Sequence, residues 1–569
     1  MPFDDLSPAT ATPEPATLSA FAACDRFVHG TVAEITGGRS PAVTTEAWLS
    51  WWSQLALSPG EQMDLWLRAC AAATSTGRTE HGALAPPDPR FAGAGWRAWP
   101  YSWLSQAHRA SEAWWHDAAT GVPGVSERHR RVIGASIGQL LQALSPANFL
   151  PTNPELGRLT WERWGGNLID GAKLLAGDLS GAKRDDGNAF AVGRAVAITP
   201  GKVVFRDRLI ELIQYDPATP MVHPEPILIV PAWIMKYYIL DLGPENSLIR
   251  FMVEQGHTVF TISWRNPTPE DHDLTMDDYR RLGVMAALDA VSEILPDRKI
   301  HAAGYCLGGT MLSIAAAAMA RDGDDRLASV TLLAAQTDFT EPGDLKLFID
   351  DTELTWLECL MARSGGLDGS RMAAAFQMLR AEDLIWAPFV HRYLRGETEP
   401  PNDLMAWNAD QTRMPCRMHA EYLRGLLLDN DLASGRFAVD GRPVALRDIR
   451  TPIFALGTAK DHVAPWRSVY KITLLTRSDV TFALVSGGHN AGVVSEPGHK
   501  NRDFRMLTMP ADDVTVDPES FLVRAGTHRG SWWPAWHHWL AERSGAPEPP
   551  PLSAREALCD APGTYVLAR

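Results

Sequence analysis

Apolar positions recur along this chain with two different periods, and the change between them divides it. Over residues 44–179 they fall at helical spacing. Trp48, Trp51 and Trp52 stand at i, i+3 and i+4, and Leu65, Cys70 and nearby alanines extend the apolar face. This pattern predicts a helical N-terminal domain over residues 1–190. The tryptophan stripe, and a second group at Trp96, Trp99, Trp103, Trp114 and Trp115, is expected to be core, the usual place of aromatic residues at helical spacing, in preference to the alternative of a lipid or polymer contact. A stretch poor in large apolar residues, 181–187, predicts a linker. Short apolar runs follow at Ile227–Val230, 258–262, 299–304, 330–334, 453–456 and Val480–Val485, several rich in β-branched residues. Helical segments such as 276–295 separate many of them. That alternation predicts βαβ units around a mainly parallel sheet covered on both faces, in a domain over residues 191–569. Residues 338–450 break the rhythm, with no evident strand, and are expected to form a cap inserted over the C-terminal edge of the sheet. The Pro-rich run 546–551 predicts a short extended spacer.

With 569 residues and 45% hydrophobic content, two or more packed domains of a soluble globular enzyme are expected. The formal charge of −15 argues against general affinity for nucleic acid or anionic lipid, which requires clustered Lys and Arg. Six cysteines without a CxxC pair suggest neither a disulfide framework nor a zinc site, so a reducing compartment fits. Residues 1–20 carry Asp4, Asp5 and Glu14 among prolines, unlike a signal peptide. No apolar run approaches the ~18 residues of a membrane span, so any attachment to a hydrophobic body is expected to be peripheral.

The chemistry concentrates in Gly304-Tyr305-Cys306-Leu307-Gly308. This segment follows an apolar run and precedes the small-residue stretch 310–320, the strand–turn–helix context of a nucleophile elbow. The glycines admit a tight, strained turn, and the helix start beyond Cys306 favours thiolate over thiol. The Leu307 N–H is placed to donate to an oxyanion. In this architecture an acid and then a histidine follow on loops after late strands. Asp461 and His489 stand in those places, His489 within the Gly-rich Ser486-Gly487-Gly488-His489. His462, beside Asp461, is expected to be structural. A second oxyanion donor should come from Pro231-Ala232-Trp233-Ile234; proline has no N–H, which leaves Ala232 or its neighbour. The fold class expected is therefore an α/β-hydrolase with an inserted cap and a helical N-terminal domain. A sulfur nucleophile suits acyl transfer from a thioester: the acyl-enzyme is again a thioester, so the donor's activation is kept and transfer to a hydroxyl runs downhill.

Many ordered segments resemble the polyhydroxyalkanoate synthases, which make storage polyesters from (R)-3-hydroxyacyl-CoA. They include Asp88-Pro89-Arg90-Phe91 with Trp96, Asn148-Phe149-Leu150-Pro151-Thr152-Asn153, Lys236-Tyr237-Tyr238-Ile239-Leu240-Asp241-Leu242, Ser263-Trp264, the elbow, Trp407-Asn408-Ala409-Asp410, His489-Asn490-Ala491-Gly492 and Gly530-Ser531-Trp532-Trp533-Pro534. The resemblance implies Cys306 as nucleophile, His489 as base, and Asp461 as an acid that helps activate the hydroxyl of the incoming or growing chain. It implies (R)-3-hydroxyacyl-CoA, 3-hydroxybutyryl-CoA in the short-chain single-subunit class, as substrate, with CoA released and no metal or separate cofactor. It also implies a homodimer, a cap that switches between closed and open forms, and residence on cytoplasmic polyester granules. Local Arg or Lys is expected where the CoA anion enters. Ala232 stands where the family usually has proline, Met235 where it has asparagine and Lys460 where it has glutamate; these bear on chain-length preference or rate, since no triad position is changed. The competing readings are a thioesterase or polyester hydrolase on the same three residues, and an inactive granule-coating protein.

Overall fold

In the computed structural model the described residues are 25, 28–29, 31–32, 40–75, 88–180, 189–343, 345, 349–369, 371–372, 381–398, 400–513, 516–551 and 555–568. The predicted linker, 181–187, and the stretch 1–20 lie outside them. The first part is helical. Pro41–Ala56, Pro59–Ser75, Tyr101–Gly121, Glu127–Ala143, Pro154–Glu162 and Gly166–Leu179 are α-helices. Polar caps start two of these: Ser126 accepts from the His129 amide, and Asn153 from those of Glu155 and Leu156. Their core is small, built from Ala47, Trp51, Leu65, Ala118, Val122, Ile133 and Ile137.

The tryptophan pattern divides differently from expectation. Trp51 and Trp96 are buried, but Trp52 (59% exposed), Trp99 (83%) and Trp103 (48%) are not, and Cys70 is exposed too. Short helices around so small a core bury only a narrow stripe, so adjacent tryptophans cannot both turn inward. Trp51 takes the inward place and donates from Nε1 to the Ala118 carbonyl at 2.8 Å.

The second part is built on a sheet. Its strands in chain order are β1 (Gly201–Arg206), β2 (Ile210–Tyr215), β3 (Ile227–Val230), β4 (Val259–Trp264), β5 (Ile300–Tyr305) and β6 (Leu327–Leu333). Two small pairs in the cap follow: β7 (Gly366–Leu367) with β8 (Met414–Pro415), and β9 (Ala438–Val439) with β10 (Arg442–Pro443). The sheet resumes with β11 (Ile453–Thr458), β12 (Val480–Val485), β13 (Asp503–Met509), β14 (Gly526–Arg529) and β15 (Cys559–Asp560). Spatial order in the main sheet is β14-β13-β12-β11-β6-β5-β3-β4-β2-β1-β15. The six strands from β4 to β12 are parallel, and the flanking ones antiparallel. The parallel strands are the apolar runs legible in the sequence because both their faces are covered. One core packs the helix Leu307–Asp322 and the cap against one face; the other packs 237–253 and the helix Trp533–Ala541 against the opposite face.

The cap leaves the sheet after β6 and returns at β11, strands that are neighbours. It contains the helices Asp351–Ser364, Asp403–Ala409 and Cys416–Glu421, the last running into a π-helical turn at Tyr422–Leu428. The two small strand pairs in it were not legible as apolar runs. The N-terminal helices lie against it: Asp178 pairs with Arg392 (2.7 Å) and accepts from the Tyr393 hydroxyl, and Asn167 Nδ2 donates to the Leu394 carbonyl at 2.7 Å.

Candidate active site

β5, β11 and β12 run parallel and end at one edge of the sheet, and each is followed by one of the expected residues. Cys306 comes one residue after β5. Its backbone, φ 52° and ψ −126°, lies where side-chain-bearing residues rarely sit, which lifts the side chain out of the strand and starts the helix Leu307–Asp322 at once. The glycines of the elbow are there for space: a Cβ on Gly304 would stand 2.3 Å from Gly309 Cα, and one on Gly308 2.1 Å from the Val230 carbonyl oxygen. Cys306 is half-buried and touches the cores on both faces of the sheet.

Asp461 is buried in the loop after β11 and is fully engaged. One carboxylate oxygen accepts from the amides of Val463 (2.9 Å) and Ala464 (2.8 Å); the other accepts from Thr458 Oγ1 (2.7 Å) and faces His489 Nδ1 at 2.8 Å. Burial alone would raise its pKa, but the His489 ring and these hydrogen bonds outweigh that and hold the carboxyl below its ordinary range. His489 opens the short helix His489–Val493. Burial works against its protonation, yet the Cys306 sulfur and the Asp461 carboxylate, the latter also its hydrogen-bond partner, raise it well above the ordinary histidine value. The three residues are thus brought together in the order sulfur, imidazole, carboxylate. His462 is exposed.

Several supports were not singled out in the sequence. Tyr305, the last residue of β5, donates its hydroxyl to Asn490 Oδ1 at 2.7 Å and packs its ring 5.6 Å from that of His489. The indoles of Trp532 and Trp533 donate to the carbonyls of Gly492 and Val493, satisfying the C-terminal end of the histidine's helix. These contacts give Gly530-Ser531-Trp532-Trp533-Pro534 a physical role. From the cap, buried Tyr422 joins the core against which Cys306 packs, and its hydroxyl pKa is raised, first by burial and then by the field of Cys306. His419 stacks on it, and burial lowers that histidine to about 4. Arg502 borders the histidine loop: a Cβ on Gly487 would stand 3.0 Å from its Nη1, and among the described residues no carboxylate pairs with it. Among the described residues no group of three or more His, Cys, Asp or Glu could hold a metal ion, and no helix is long and apolar enough to cross a membrane.

Residues 87–252 match the family model described as the N-terminus of poly-beta-hydroxybutyrate polymerase (PhaC), residues 19–61 match a second N-terminal model of the same polymerase, and residues 225–495 match the alpha/beta hydrolase fold. A poly(3-hydroxyalkanoate) polymerase of Methylorubrum extorquens is 42% identical over 84% of this chain and 81% of its own length. The corresponding polymerase subunit of Cupriavidus necator is 40% identical, over 85% and 83%. That of Rhizobium meliloti is 38% identical, over 90% and 84%.

Proposed function

This chain belongs to the poly(3-hydroxyalkanoate) polymerase family, and from that membership we propose that it polymerises (R)-3-hydroxyacyl-CoA, with 3-hydroxybutyryl-CoA as the preferred monomer, through an acyl-enzyme on Cys306. The observation that carries the mechanism is a strained, half-buried thiol and a histidine bonded to a buried carboxylate, following three parallel strands that end at one edge of the sheet.

His489 takes the Cys306 proton; the sulfur attacks the thioester carbon; and the carbonyl electron pair moves onto oxygen, where the amides of Leu307 and Ala232 donate to it. Collapse of this intermediate breaks the bond to CoA, whose sulfur takes the proton back from His489. A 3-hydroxyl then attacks the Cys306 thioester and passes its proton to His489; collapse of this second oxyanion breaks the carbon–sulfur bond, and the leaving Cys306 sulfur takes that proton back as the ester forms. All four donors to Asp461 are protein groups, which favours its acting through His489 over its meeting the substrate hydroxyl directly. Arg502, which borders the histidine loop, is our candidate to meet a phosphate of CoA.

In the same reading the enzyme works as a homodimer in the cytoplasm, at the surface of polyester granules. The exposed Trp52, Trp66, Trp99, Trp161 and Trp164 of the N-terminal part are apolar groups available to that surface, Trp161 and Trp164 as a stacked pair. The test is the fate of the acyl group. With (R)-3-hydroxybutyryl-CoA, CoA release should be matched by polyester, whereas free 3-hydroxybutyrate in equal amount would make the protein a thioesterase and reject the proposal.

A further inference from the structure

The loop that leaves β3 is held at its carbonyls by two buried side chains from different parts of the molecule. Trp264 Nε1, at the end of β4, donates to the Pro231 carbonyl at 2.8 Å. Thr412 Oγ1, from the cap, donates to the Trp233 carbonyl at 2.8 Å. In a trans peptide the C=O and the N–H point in opposite directions, and the Pro231–Ala232 bond is trans. A hydrogen bond that fixes the Pro231 oxygen therefore also fixes where the Ala232 N–H points. The elbow lies against the same peptide plane: a Cβ on Gly308 would stand 2.6 Å from the Pro231 oxygen and 2.7 Å from its carbonyl carbon. Trp264 has no freedom to release its hold, since its ring contacts Trp233 and Tyr279, and Gly283 leaves no room beside it.

We propose that Trp264 and Thr412 are positioning residues for the oxyanion hole: the indole N–H aims the Ala232 amide at the acyl oxygen on Cys306, and Thr412 fixes the next part of the loop from the cap, so that the hole is complete only when the cap is seated. This rests on the reading of Cys306 as nucleophile and Ala232 as donor. The cap segment makes further bonds to the same loop. Trp407 Nε1 donates to the Lys236 carbonyl at 2.7 Å, Met235 bridges to Gln411, and the Tyr238 hydroxyl donates to Asp410 at 3.0 Å.

The test uses the full chain with Thr412→Val, Thr412→Ser and Trp264→Phe. Two ligands separate aim from fold. One is a trifluoromethyl ketone analogue of the acyl-CoA: the Cys306 sulfur bonds to its carbonyl carbon, the carbonyl π pair becomes an oxyanion, and the thiol proton goes to His489. The other is an S-alkyl-CoA, which forms no oxyanion. Thr412→Val and Trp264→Phe should lower kcat about tenfold and weaken the ketone by the same factor. KM and the affinity for S-alkyl-CoA should stay within about twofold, and Thr412→Ser, which keeps the hydroxyl, should stay within about twofold of the parent throughout. Equal weakening of both ligands, a Thr412→Ser enzyme as slow as Thr412→Val, or an unimpaired Thr412→Val would overturn the proposal. If Trp264→Phe does not fold, the two Thr412 variants decide alone. Cys306→Ala tells the two readings apart: CoA release in that variant defeats the site itself, whereas its loss together with an unimpaired Thr412→Val defeats only the positioning role.

Discussion

Cys306 occupies a backbone conformation that costs about 1–3 kcal/mol for a residue with a side chain, and the contacts around it make up that cost. The amide of Cys306 donates to the Leu333 carbonyl at 2.9 Å, and its carbonyl accepts from Gly309 and Thr310. Such a turn was legible because its requirements are local: small residues at fixed offsets, a strand before and a helix after. Arg502 was not legible, because nothing in its neighbourhood distinguishes it from the other arginines; only the fold sets it beside Gly487. The phosphate contact proposed for it gives a prediction at this scale. Arg502→Gln should raise KM for the acyl-CoA about tenfold with kcat little changed, as expected where an interaction is equally strong in ground and transition states. Steady-state kinetics at low and high salt would check it, and an unchanged KM would place the CoA phosphates elsewhere. The supports of His489 were missed for a similar reason. Tyr305, Trp532 and Trp533 contribute through contacts between segments far apart in the chain, whereas Asp461 and His489 could be found from strand order alone.

At the scale of elements, sequence pattern succeeded where both faces of a strand are covered and failed where they are not. β3, β5 and β12 are buried along their whole length, so every residue is apolar or small, apart from isolated polar positions. β13 and β14 lie toward the edge; β13 is largely half-exposed and β14 exposed throughout, which leaves little apolar signal to read. Burial also sets an acid limit on one helix contact. The helix Trp533–Ala541 reaches the loop before β4 through His537, whose Nδ1 lies 3.0 Å from His257 Nε2, with His223 stacked on His257 at 4.7 Å and His301 close enough to act on its charge. Burial, with the neighbouring histidines, lowers His257 to about 2, and His301 falls to about 4 for the same first reason. The unfolded chain takes up protons near pH 6.5 that the folded one refuses, so stability falls as pH drops from about 6.5 toward these lower values. For His257 alone the loss between pH 6.5 and 5 is about 2 kcal/mol. His257→Gln should therefore lose less in Tm than the parent when both are taken from pH 7 to pH 5. An equal drop in the two proteins would show that other groups govern the acid limb.

Across the whole molecule, contacts join the N-terminal helices to the cap, and the cap to the loop beside the elbow. The N-terminal helices grip the cap through Asp178 and Asn167; the cap holds the β3 loop through Thr412 and Trp407; and that loop lies against the elbow. The same helices carry the exposed tryptophans. Trp161 and Trp164 stack 6.1 Å apart beside Leu150 and Thr160, and are 80% and 89% exposed. Replacing both with serine should leave CoA release from dissolved substrate unchanged and move the enzyme from the granule fraction to the supernatant on sedimentation. Full retention on granules would assign the contact to another face. The division into helices, sheet and cap followed from hydrophobic period and its interruption. The contacts that join the three parts did not, because they are single polar side chains whose partners lie hundreds of residues away, such as Asp178 with Arg392 and Trp233 with Thr412.

The cap's place in the chain has one more consequence. It interrupts the connection between β6 and β11, which pair directly from Val330 with Ile453 to Leu333 with Leu456. The scaffold therefore keeps its register whatever length of chain is spliced between those strands, and residues 334–452 form a natural unit of exchange. Caps grafted from other family members should seat on the same sheet, provided the graft carries equivalents of Trp407, Thr412 and Arg392 at its seams.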